Sequence, residues 1–160
     1  MKKMTTCLWF NSEGEEAANY YVSVFPNSKI NNVQKYPEAA LEVTNQPADS
    51  VMTVDFELNG AQFMALNGGP QEGFKFSPAT SFMIPCEDQA ELDRFWAALS
   101  AVPEAEQCGW CMDKFGVTWQ VVPTVLDQLL ADPATTEKVT AAFLQMKKFD
   151  IAKLIEAGNA

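Results

Sequence analysis

The chain carries an internal duplication, and that constrains its fold more than any other feature. Thr6, Cys7, Leu8 and Trp9 stand 75 residues before Ser81, Phe82, Met83 and Ile84, each set on a short apolar stretch closed by polar or acidic residues. Ala17, Tyr20, Tyr21 and Val24 stand at the same offset before Leu92, Phe95, Trp96 and Leu99. Both sets follow the i, i+3, i+4, i+7 spacing of an amphipathic helix. Ser12-Glu13 and Glu87-Asp88 suit the first helical turn, and Pro26-Asn27 and Pro103 mark the stops.

A third element recurs at another offset. Val51–Leu58, Asn59-Gly60 and Ala61–Leu66 read as a hairpin around an Asn-Gly turn. Its counterpart, 56 residues on, is Gly109–Met112 turning at Gly116 into Val117–Val122, so that Phe63 matches Trp119 and Met64 matches Gln120. The second copy is therefore 19 residues shorter, and the surplus of the first falls at about 28–50, a strand at 29–36 and a polar loop at 37–50. The expected fold class is α+β, in tandem βαβββ modules at about 4–68 and 79–123, with the second copy's extra strand the least defined. The linker carries Phe74 and Phe76 among Gly and Pro, either a lid over a cavity or a cover for the sheet. A helical tail at 124–158 follows, with helices at 124–130, 135–147 and 150–157.

Composition narrows the function. With 11 basic and 21 acidic residues the net charge is −10, which repels phosphate backbones and anionic lipid surfaces; neither nucleic acid nor membrane is an expected partner. Histidine is absent, and with it Ser-His-Asp and Cys-His nucleophiles and imidazole-ligated zinc. The N-terminal apolar run is too short for a signal peptide, so a cytoplasmic location with reduced thiols is expected. Cys108-Gly-Trp-Cys111 is a C-x-x-C followed by a strand pattern rather than a helix; on one strand the two thiols point to opposite faces, and a structural role is expected.

Cys7-Leu-Trp-Phe-Asn11, Phe25-Pro-Asn-Ser28, Phe63-Met-Ala-Leu-Asn-Gly-Gly-Pro70, Phe74-Lys-Phe76, Cys108-Gly-Trp110, Asp113-Lys-Phe-Gly116, Trp119-Gln-Val-Val-Pro123 and Gln145-Met-Lys-Lys148 resemble the PhnB-like (demethylubiquinone methyltransferase-like) group of the vicinal oxygen chelate superfamily. The resemblance implies a glyoxalase-like open barrel and a homodimer. In that superfamily a metal takes ligands from the first and last strands of each module, positions that fall here on Thr6, Met64, Ser81 and Gln120. That set contains no anionic ligand for a dication, so no metal and no cofactor are expected.

Strand alternation puts Thr6, Leu8 and Phe10 in a cavity with Met64, Leu66, Ser81, Met83 and Gln120, and turns Cys7, Trp9, Phe82 and Trp119 toward the helices. A mostly apolar lining with a few polar points is usual for a small-molecule site, and Phe74 and Phe76 complete the candidate set. Packing core is the competing reading of the same residues. Asp55 and Glu57, two apart on a strand, share a face and read as a solvated edge. The favoured function is metal-free binding of a small apolar or aromatic molecule. The alternatives are a metal-dependent lyase or dioxygenase, a methyltransferase, and a protein-interaction module using the tail.

Overall fold

The computed structural model describes residues 4–160. The chain forms two compact units, one ending at Lys75 and one spanning Phe76–Ala160. The first runs β1 (Thr6–Phe10), α1 (Gly14–Val24), β2 (Lys29–Lys35), the short α2 (Leu41–Thr44), β3 (Val51–Leu58) and β4 (Ala61–Asn67). Its sheet has the order β1-β4-β3-β2, with β1 parallel to β4 and the rest antiparallel. The Asn59-Gly60 turn forms as expected, with both residues at positive φ (44° and 86°), the geometry a two-residue hairpin requires. α1 covers one face of this sheet: Ala17, Ala18 and Tyr21 are buried, and Tyr21 stacks on Phe56, which stacks on Phe63.

Asn67 ties this unit together. Its Oδ1 accepts from the Gly14 N–H at the start of α1 (2.8 Å), its Nδ2 donates to the Val51 carbonyl (3.1 Å), and its own carbonyl accepts from the Tyr36 hydroxyl (2.7 Å). A Cβ on Gly14 would sit 2.6 Å from Asn67 Oδ1, so only glycine fits there. α1 has no side-chain N-cap of its own; Asn67, from across the fold, takes that role.

The second unit contains β5 (Phe82–Cys86), α3 (Gln89–Leu99), β6 (Trp110–Met112) and β7 (Thr118–Pro123), then α4 (Val125–Ala131), α5 (Pro133–Phe143) and α6 (Ile151–Asn159). The sheet order is β5-β7-β6, so among the described residues the second module has three strands, one fewer than the tandem βαβββ pattern predicts. The reason is length: only residues 100–109 join α3 to β6, and they form a 3-10 turn at Pro103–Ala105 and a lone bridge from Gln107 to Trp110. Neither sheet closes into a barrel.

Aspartates cap α3, α5 and α6, with Asp88 accepting from the Glu91 N–H, Asp132 from the Ala134 N–H and Asp150 from the Lys153 N–H. Asp113 is buried and organises the β6–β7 turn. One carboxylate oxygen accepts from the Phe115 and Val117 N–H groups (2.8 and 3.0 Å), the other from Trp119 Nε1 (2.8 Å).

The tail departs from expectation where α5 ends at Phe143 rather than at 147. The carbonyls of Met146 and Lys147 instead accept from the N–H groups of Cys108 and Gly109 (2.8 and 2.7 Å). Phe149 is buried over Gly109, Gln89 bonds both the Phe149 carbonyl and the Ile151 N–H, and Lys148 pairs with Asp93 at 2.6 Å. Lys148 holds the Asp93 carboxyl below its ordinary range, and the Lys153 N–H does the same for Asp150. Both contribute stability above the ordinary carboxylate pKa and lose it as pH falls through the lowered value, so acid loosens this docking. No helix among the described residues is long and apolar enough to cross a membrane.

Candidate functional site

Each sheet is covered by a helix on one face, and the other face carries the candidate site. In the second unit β7 sets the alternation. Trp119 and Val121 are buried on the helix side with their neighbours Phe82, Ile84 and Cys111, which places Met83, Gln120 and Trp110, partners in register, on the opposite face. Ser81 joins them, since Gln120 Nε2 donates to its hydroxyl at 2.8 Å. Ser81, Met83 and Gln120 therefore share a face as expected, with Met83 62% exposed.

In the first unit the outcome is mixed. Met64 and Leu66 lie on the open face, in register with Cys7 and Trp9. Leu8 and Phe10 are buried and paired with Ala65 and Asn67, the residues Gly14 of α1 touches, while Thr6 pairs with Phe63. The expected facing of β1 is thus inverted: Cys7 and Trp9 face outward, Leu8 and Phe10 belong to the core. The cause is one residue of connection. Three residues, 11–13, join β1 to α1, but only two, 87–88, join β5 to α3. Thr6 pairs with Phe63 and Phe82 with Trp119, which makes the true strand offset 76 while the helices keep 75. A shift of one flips every side chain of a strand.

Trp9 is the aromatic residue that the inverted phase concealed. Its Nε1 donates to the Gly69 carbonyl (3.0 Å), and Phe74, 59% exposed, meets its ring edge-on at 4.9 Å. Gly68 lies flat against the indole, where a Cβ would fall 2.0 Å from a ring carbon. Gly68→Ala is therefore expected to displace the indole, break the bond to Gly69 and cost about 1–2 kcal/mol, read as a shift in tryptophan emission with unchanged far-ultraviolet dichroism. Asp55 and Glu57 also sit on this face, opposite Met64 and Gln62, and Gln62 Nε2 donates to Glu57 at 2.6 Å. Phe76 falls in the second unit, beside Gly116.

The thiols divide by burial. Cys86 and Cys111 are fully buried on the helix side, and burial, reinforced by Glu91 and Asp113 respectively, pushes each up to about 12, which leaves both thiols unreactive near neutrality. Burial also raises Cys7. Cys108 and Cys111 do not share a strand: Cys108 lies in the turn before β6 at φ 48°, its Sγ donating to the Phe143 carbonyl. Among the described residues no three His, Cys, Asp or Glu side chains gather as a metal-holding group.

Duplicated strand–helix–hairpin units, each leaving one sheet face open, define a mixed α+β protein with a helical extension. The chain belongs to the 3-demethylubiquinone-9 3-methyltransferase family, which matches residues 2–122, so that α4–α6 lie beyond the match. Among solved structures it is similar to a putative 3-demethylubiquinone-9 3-methyltransferase, PhnB protein, from Bacillus cereus, at 32% identity and TM-score 0.63, covering 77% of this chain and all of that one. It shares its fold with a Pseudomonas aeruginosa protein at 20% identity and TM-score 0.55, covering 77% of this chain and 98% of the other. No curated protein matches.

The methyl donor that the family's description implies does not fit the glycines here. A nucleotide-type donor is commonly bound by a glycine-rich turn from strand to helix. Among the described residues the strand-to-helix connections are Asn11-Ser12-Glu13, Tyr36-Pro37, Glu87-Asp88 and Thr124, none with a glycine, while Gly68-Gly69 follows a strand and is filled by Trp9.

Proposed function

We propose that this chain is a small-molecule-binding protein of the vicinal oxygen chelate type, which takes an uncharged apolar or aromatic molecule against its open sheet faces without a catalytic metal. The observation that carries the reading is the Ser81–Gln120 pair on a face shared with exposed Met83, a polar point within an apolar surface. Thioether, amide and hydroxyl groups there favour an organic ligand over a dication. In this reading the modules of two chains complete each other's cavities in a cytoplasmic homodimer with a glyoxalase-like barrel. The charge of −10 argues against nucleic acid and anionic membrane as partners.

Native mass spectrometry of untagged protein tests the reading, because one spectrum reports subunit number, metal and co-purified organic mass. A dimer with an organic adduct is expected; a stoichiometric metal would revive the lyase and dioxygenase alternatives. Gln120→Leu is expected to lose that adduct while melting no lower than the wild type. Unfolding of the variant would instead make the Ser81–Gln120 bond a structural one.

A further inference from the structure

Thr118 has a fully buried hydroxyl with no hydrogen-bond partner among the described residues. The residue is only 4% exposed, and a buried polar group left unsatisfied is costly enough that native proteins seldom keep one without use. Its place in the sheet gives it a meaning. Thr118 pairs with Met112 and precedes buried Trp119, so it lies on the same face as Gln120, two residues away on β7 and therefore about 6–7 Å along the strand. Ser81, just before β5, stands beside Gln120 and accepts its amide N–H.

The hydrogens left over can be counted. Ser81 accepts from Gln120, so its own O–H is free to donate; Gln120 keeps a second N–H; the Thr118 O–H is unused. Three donors are thus set on one sheet face among Met83, Met112 and Trp110, and no side chain that β5, β6 or β7 places on that face ionises. An ionised ligand would lose its water there without gaining a counter-charge. A neutral molecule with an acceptor oxygen and an apolar body meets every one of these conditions.

We infer that Thr118, with Ser81 and Gln120, forms the hydrogen-bonding anchor of the binding face, and that it selects an uncharged, largely apolar molecule bearing an acceptor oxygen such as a carbonyl. This rests on the binding reading above and adds to it the ligand class and a recognition residue, Thr118, whose buried hydroxyl becomes satisfied only when the ligand is in place.

The test is calorimetric titration of the full-length protein with acetophenone and with ethylbenzene, which has nearly the same shape but no oxygen. The wild type is expected to prefer acetophenone at least tenfold. Thr118→Val, close to isosteric, is expected to reduce that preference below threefold and to melt at or above the wild-type temperature. Gln120→Leu provides a second removal of donors with the same expected direction. Equal binding of both probes by the wild type would overturn the carbonyl anchor and leave the binding reading standing. Binding of neither probe, with no organic adduct in the native mass spectrum, would overturn both. A Thr118→Val protein that melts well below the wild type would overturn the anchor by making the hydroxyl a structural group.

Discussion

Asp113→Ala is expected to destabilise the second unit by about 3–5 kcal/mol, the sum of lost charge-assisted hydrogen bonds and the cost of leaving a buried indole N–H unpaired. Asp113 is 1% exposed, and its carboxylate accepts from two backbone N–H groups of its own turn and from Trp119 Nε1. The turn also depends on Gly116, at φ 85°, whose N–H returns to the Asp113 carbonyl. Losing this set frees the β6–β7 register, and that register decides which side of β7 faces α3. Asp113→Asn separates the contributions: its amide oxygen can still accept from Phe115 and Val117, but its NH2 opposes Trp119 Nε1–H. Roughly half the loss is expected from this variant, and adding Trp119→Phe should recover part of it, a coupling that a double-mutant cycle measures. Denaturant midpoints within about 1 kcal/mol of wild type for Asp113→Ala would show the turn to be held by its backbone alone.

Asp113 was visible in the sequence only as a turn residue before Gly116, and the same holds for Asn67 before Gly68-Gly69. Both stand where Asp and Asn are common for local reasons, so nothing in the spacing distinguishes a residue that bonds its neighbours from one that caps a helix 53 residues away. The hairpin at Asn59-Gly60 was legible because its requirement is local, two residues of positive φ between alternating strands. The faces of β5 and β7 followed from alternation alone. β1 did not, because its phase depends on the length of a connection whose end has no side-chain cap to mark it. The candidate site was therefore half readable: Ser81, Met83, Gln120, Met64 and Leu66 fall on open faces, while Trp9 took the place expected for Leu8 and Phe10. Thr118 gave no signal, since an unsatisfied hydroxyl exists only relative to the neighbours that folding brings.

The tail offers the other large effect. Gly109→Ala is expected to cost about 2–5 kcal/mol, from the left-handed backbone and from crowding of packed neighbours. Gly109 has φ 80°, and a Cβ there would lie 2.9 Å from the Val121 carbonyl oxygen and 2.4 Å from the Phe149 ring. The ring can shift; the carbonyl is fixed in the sheet beside the bond from the Val121 N–H to the Gly109 carbonyl. Relief by moving the turn would lengthen the bonds from Cys108 and Gly109 to the Met146 and Lys147 carbonyls, the bonds for which α5 stops at Phe143. Gly60→Ala supplies the control, because Gly60 has a similar φ of 86° with nothing near the new methyl. It should show the backbone cost alone, about 1–2 kcal/mol. The excess at Gly109 then measures the docking of 144–149, and faster hydrogen exchange at the Cys108 and Gly109 amides should accompany it. Phe149→Leu in the Gly109→Ala background is expected to restore only a minor part, since it relieves the ring and not the carbonyl. Equal losses at Gly60 and Gly109 would mean that the tail yields without resistance, and that the second unit's stability does not depend on its helical extension.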